Sequence, residues 1–142
     1  MQTDTHLKRA TTLVEETLGG DRQAAVVRAF FDESTFTATY VVSDPATKRA
    51  AIIDSVLDYD HASGTTGFAS ADLVIAYVEQ ENLIVDWLLE THVHADHLSA
   101  APYLQEKVGG RLAIGAEITT VQNVFGKIFN EGTEFERDGS QF

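Results

Sequence analysis

The sequence predicts an α/β fold in which a mixed sheet is flanked by helices. Three observations carry that prediction. First, segments with strand patterning alternate with segments that carry helical apolar stripes. Second, Leu83-Ile84-Val85-Asp86-Trp87-Leu88-Leu89 is a nearly continuous apolar run, as expected of a strand covered on both faces. Third, that run passes through a polar cluster into a helix-like segment from Leu98 onward, the strand–loop–helix order from which α/β sheets are built. At 142 residues the chain has a one-domain length.

Residues 1–20 read as a helical extension and residues 21–142 as the domain. Leu7, Ala10, Val14 and Leu18 form a weak helical stripe that Gly19-Gly20 ends. Ala25 to Phe31 is strand-like, and Asp32-Glu33-Ser34 turns the chain. Phe36, Ala38, Tyr40 and Val42 alternate with Thr35, Thr37 and Thr39, which predicts a half-buried strand with a Thr-rich outer face. Ser43-Asp44-Pro45-Ala46 is turn chemistry, and Ala50-Ala51-Ile52-Ile53 a buried strand, completing an antiparallel meander. Asp54 ends that strand. Residues 58–67, including Asp58, Asp60 and His61, read as an irregular solvated loop.

Ser70 is the expected cap of a helix through Asn82, with Leu73, Val74, Tyr77 and Val78 inward. Trp87 in the next strand reads as core. Pro102 is tolerated only in a first turn, so the helix after the polar cluster begins near Ser99 or Ala100 and closes at Gly109-Gly110. Arg111 to Gly115 is a short strand. Thr119 or Thr120 caps a last helix whose Val121, Val124, Phe125, Ile128 and Phe129 form a stripe assigned to the core.

The polar cluster is Thr91-His92-Val93-His94-Ala95-Asp96-His97, which holds three of the five histidines. In an extended segment, residues two apart point the same way. His92 and His94 then face one point, Asp96 continues that side, and His97, opening the next element, aims elsewhere. Imidazole suits zinc, iron, copper and nickel, and a carboxylate suits harder ions. The set supplies either one metal with an outer carboxylate or halves of two adjacent metal sites. The alternative is solvated loop histidines beside a helix-capping Asp.

The pattern His-x-His-x-Asp-His after a hydrophobic strand resembles the signature of the metallo-β-lactamase fold. The run from Leu88 to Ala101 resembles the bacterial persulfide dioxygenase branch, whose members are often labelled β-lactamase-like hydrolases; Ala51-Ile52-Ile53-Asp54 and Gly132-Thr133-Glu134-Phe135 are similar to it too. The resemblance implies a four-layer αββα sandwich of two similar halves, of which this sequence resembles the N-terminal one. It implies that His92, His94, Asp96 and His97 ligate metal, with iron(II) expected and zinc the alternative, and that Asp54 sits beneath the metal loop. In two-zinc members His92 and His94 would serve one metal and Asp96 and His97 the other. In the dioxygenases only the first iron ligand maps here, onto His92.

Relatives of this kind supply a further His and Asp downstream, whereas here no His follows His97 and the only later Asp is Asp138. A truncated product with an incomplete metal shell is therefore expected, with weak metal retention and self-association through an exposed sheet face. The implied reaction is oxidation of a glutathione-type persulfide to sulfite. The alternatives are glyoxalase II-like hydrolysis of a thioester at two metals, or a non-catalytic fragment or interaction module.

Charge and composition bound the partners. With 10 Lys+Arg against 22 Asp+Glu the net charge is −12, which argues against nucleic acid and anionic membranes. No cysteine is present, so thiolate metal sites and a cysteine nucleophile are excluded. A persulfide or thioester must arrive on a small thiol-derived molecule. The N-terminus lacks an apolar signal core, and the expected location is the cytoplasm.

Overall fold

A computed structural model describes residues 2–20, 23–129 and 138–139. In chain order the elements are α1 (Gln2–Leu18), β1 (Val26–Asp32), β2 (Thr37–Ser43), β3 (Arg49–Ile53), β4 (Val56–Asp60), β5 (Thr65–Gly67), α2 (Ala69–Gln80), β6 (Ile84–Glu90), β7 (Leu98–Ser99), α3 (Ala101–Val108), β8 (Arg111–Ile114) and α4 (Ile118–Ile128). The main sheet runs β1-β2-β3-β6-β8. Its first three strands are the expected antiparallel meander, and β6 and β8 join in parallel. Each parallel step is made through a crossover helix, α2 and then α3, as the geometry of parallel pairing requires. A smaller sheet, β5-β4-β7, stands beside it.

The core lies between one face of the main sheet and helices α2 and α3. Val41, Ala50, Ile52, Val85 and Leu88 meet Ala71, Val74, Val78, Ala101 and Leu104 there, all of them buried. Pro102 stands in the first turn of α3, where its missing N–H removes no helical bond. This packing holds the C-terminal ends of β3 and β6 side by side, with the Asp54 N–H donating to the Leu89 carbonyl at 2.9 Å. Among the described residues, no helix is long and apolar enough to cross a membrane.

Several expectations are overturned. On β2 the Thr face is the inner one: Thr39, Val41 and Ser43 are buried and Tyr40 is exposed. Phe36 belongs to the preceding turn (φ 57°) rather than to the strand, and the Thr39 hydroxyl is satisfied by the Asp54 carbonyl at 2.9 Å, so burial leaves it no unmet bond. Residues 58–67 form not an irregular loop but the β4–β5 hairpin. Ser70 lies inside α2, whose first turn is capped instead by the Asp58 carboxylate accepting the Ser70 N–H at 3.1 Å. Leu73 is 63% exposed.

Trp87 is not core. It lies on the sheet face away from α2 and α3, with the Arg111 guanidinium 3.9 Å above its ring. The α4 stripe is likewise outward: Val124, Phe125, Ile128 and Phe129 are exposed, and Ile118, Gln122 and Gly126 are the buried positions. An amphipathic stripe marks a face that seeks a partner, and periodicity does not say whether the partner lies within the same chain. The resemblance at Gly132 to Phe135 falls outside the described residues.

Candidate metal centre

Strand β6 ends at Glu90, and residues 91–97 bend instead of continuing extended. The two-residue period therefore does not govern the histidines, and the expectation that His97 aims elsewhere fails. The His94 and His97 rings lie 4.1 Å apart, and the His92 and His94 rings 4.3 Å apart. Ligand atoms of His94, Asp96 and His97 all lie within 4.8 Å of one another. A second such group is Asp54, Glu90 and His94. His92 stands beside His94 but joins neither group.

The loop is pinned from below by Asp54. Its backbone is left-handed (φ 52°), a conformation that Asp tolerates better than most residues, and this turns the carboxylate toward the loop. Asp54 Oδ1 accepts the Thr91 N–H at 2.7 Å, and Oδ2 accepts the Thr91 hydroxyl at 2.8 Å. Burial pushes the Asp54 carboxyl upward, but the bonds from Thr91 and His94 outweigh it and hold the group below its ordinary range.

These bonds assign protons on the imidazoles. The Thr91 hydroxyl gives its hydrogen to Asp54, so toward His92 Nδ1, 2.8 Å away, it can only accept. His92 thus carries its proton on Nδ1 and leaves Nε2 as a donor for metal. His94 is the reverse. Its Nε2 is 3.0 Å from Asp54 Oδ1 and 3.2 Å from Glu90 Oε2, so Nε2 carries the proton and Nδ1, 3.8 Å from Asp96 Oδ1, is the nitrogen with a lone pair to offer a metal.

Asp96 and His97 are tied together through Thr37 of β2. The Thr37 hydroxyl lies 3.1 Å from Asp96 Oδ2 and 3.4 Å from His97 Nδ1. The backbone N–H of Asp96 itself, the bond with His97 and the bond from Thr37 keep the Asp96 carboxyl below its ordinary range. The His97 side chain is fully buried, and its Nε2 has no hydrogen-bond partner among the described residues. A buried ring nitrogen left without a partner is costly unless a ligand takes it up. Beside the cluster opens a cleft of about 880 Å³, bounded by the Asp32–Thr35 turn, by Tyr59 and His61 of the β4–β5 hairpin, and by His94, Asp96 and His97.

The profile of the metallo-beta-lactamase superfamily matches residues 34–138. The chain belongs to the metallo-beta-lactamase superfamily. A "Probable metallo-hydrolase" of Burkholderia pseudomallei (strain 1710b) is 59% identical over 116 residues, which is 82% of this chain and 40% of that protein. "Glyoxylase B2" of Dictyostelium discoideum is 41% identical over 119 residues, 83% of this chain and 41% of that protein. The crystal structure of ETHE1 from Myxococcus xanthus superposes with a TM-score of 0.51 at 30% identity, over 61% of this chain and 34% of that one. The chain thus spans about two fifths of the length of these two relatives.

A metallo-beta-lactamase fold implies a divalent metal, and the residues present fit one. The donor set is hard and borderline, ligand atoms of His94, Asp96 and His97 converge, and the one buried side-chain nitrogen left unmatched among the described residues, Nε2 of His97, belongs to a residue of that set. Three residues around the superfamily's loop escaped the sequence reading: Thr37, Glu90 and Ser99. Glu90 stands four residues before His94, close enough to draw attention. Thr37 lies 59 residues from Asp96, a distance over which spacing carries no signal.

Proposed function

We propose that this chain carries the first metal-binding loop of a persulfide dioxygenase-like enzyme, with iron(II) held among His92, His94, Asp96 and His97, of which His92 is the ligand that maps onto the dioxygenases. The observation that carries the metal reading is the buried, unmatched Nε2 of His97 next to His94 and Asp96. The dioxygenase reading is supported by the run from Leu88 to Ala101 and by a donor set of imidazole and carboxylate without thiolate, the ligand type of non-haem iron oxygen chemistry. The substrate is a small glutathione-type persulfide, and with dioxygen and water it yields thiol and sulfite. Bound iron supplies the redox chemistry. The chain's own residues do the rest: Thr37 aligns Asp96 with His97, Asp54 sets the proton on His94, and Tyr59 and His61 wall the cleft in which a substrate would lie. A cytoplasmic setting belongs to this reading.

A second reading is thioester hydrolysis at zinc, favoured by the names of the Burkholderia and Dictyostelium relatives. Oxygen uptake and sulfite release by the iron-loaded chain with glutathione persulfide test the first. Thioester cleavage without oxygen uptake supports the second. Metal binding with neither activity supports a non-catalytic role for the piece.

A further inference from the structure

His94 is faced by carboxylates from two different strand ends. Asp54 hydrogen-bonds its Nε2 at 3.0 Å but already accepts two bonds from Thr91. Glu90 comes from the end of β6. Its Oε1 accepts the Ser99 hydroxyl at 2.5 Å, and its Oε2 is buried, makes no hydrogen bond among the described residues, and lies 3.2 Å from His94 Nε2. The Glu90 side chain is 8% exposed. Ser99 in turn accepts the N–H of Ala101, the first residue of α3, at 3.1 Å. A buried carboxylate oxygen without a bond is expensive unless a positive partner stands close. The imidazole N–H of His94, made more positive when its other nitrogen binds a cation, is such a partner.

We propose that Glu90, anchored by Ser99, is a positioning residue for the metal loop: it holds the proton of His94 on Nε2 and so keeps Nδ1 turned toward Asp96 for the ion. The arrangement ties a ligand on the loop to the N-terminus of α3, so the helix and the metal loop are set by one chain of contacts. A partner of this sort orients the ring and raises its basicity, and losing one costs about 10- to 100-fold in metal affinity.

This inference rests on His94 as a ligand, so its readouts are chosen to fail separately from that reading. Cobalt(II) binding to the 142-residue chain is followed by visible absorption, and ring-nitrogen NMR of the metal-free chain reports the proton position on His94. Glu90→Gln is expected to weaken cobalt binding about 10- to 100-fold while the metal-free chain melts no lower than wild type. Ser99→Ala, which keeps Glu90, is expected to weaken binding less, and Ser99→Thr, which keeps the hydroxyl, to restore it. The Ser99 pair decides the matter if Glu90→Gln does not fold. Unchanged cobalt affinity in folded Glu90→Gln, with affinity lost in His94→Ala, overturns the positioning role and leaves the metal reading intact. Wild type that binds no cobalt fails the metal reading, and the NMR then judges the inference alone: an Nε2 proton on His94 that shifts toward Nδ1 in Glu90→Gln supports it, and a proton position unchanged in folded Glu90→Gln overturns it.

Discussion

The carboxylate of Asp54 grips Thr91 twice, through the backbone N–H at 2.7 Å and the hydroxyl at 2.8 Å. The pair joins the end of β3 to the first residue after β6. Asp54→Ala removes both bonds and places alanine in a left-handed conformation, so a loss of about 3 kcal/mol in folding stability is expected. Asp54→Asn tolerates that conformation and keeps part of the bonding, so its loss should be smaller. Urea denaturation of the two variants measures the difference; equal losses would show that the charged carboxylate, not the backbone conformation, is what matters.

Acid sensitivity follows from the same group. The Asp54 carboxyl is held below its ordinary value, so its contribution is fully present above the unfolded value, about 4, and disappears as pH falls through the lower folded value. Glu90 has the opposite sign. Burial raises its carboxyl, so its ionisation subtracts stability as pH rises through the ordinary range to the raised value. Stability measured against pH should therefore fall less steeply on the acid side in Asp54→Asn than in wild type. In Glu90→Gln the metal-free chain should be at least as stable as wild type near neutrality.

The core can be weighed against its rim. Leu104 is fully enclosed among the strands and α2, and Leu104→Ala should cost about 2–5 kcal/mol. Leu73, on the solvent side of α2, should tolerate alanine within about 0.5 kcal/mol. Chemical denaturation of both checks the assignment of the α2 faces.

Phe31, Tyr40 and Trp87 stand on the sheet face turned away from α2 and α3, and all three are exposed. An apolar sheet face of this kind favours association of copies of the chain. Sedimentation velocity should show concentration-dependent association, relieved by Tyr40→Lys. A monomer at every concentration would refute it.

The sheet and its helices were legible because each rests on local pattern: the meander on Asp/Ser/Pro turns between apolar runs, α3 on Pro102 and the Gly109-Gly110 stop. What escaped was orientation. The alternation of Phe36 to Val42 was real, yet the face it pointed to was inverted, because Thr39 finds its partner in the Asp54 carbonyl, 15 residues on. Trp87 and the α4 stripe were apolar as read, and only the packing shows that neither lies against α2 or α3. Within the candidate site, the four residues singled out do gather at one loop, but the grouping differs. His97 turns in beside His94 because the loop bends, and His92 stays at the margin. Thr37 was invisible because only the ladder between β1 and β2 brings it there.

That ladder has a bearing on how the gene can vary. Asp32 pairs with Thr37 at the closed end of the hairpin, and the Asp32 carboxylate clasps the turn through Thr35. Surface turns are ordinarily where insertions are absorbed. Here one added residue that slipped the pairing by a single position would swing the Thr37 hydroxyl to the opposite side of the sheet. Asp96 and His97 would lose their common clasp although neither codon had changed. In an insertion scan, residues 33–36 should behave as an intolerant island on an otherwise permissive exterior.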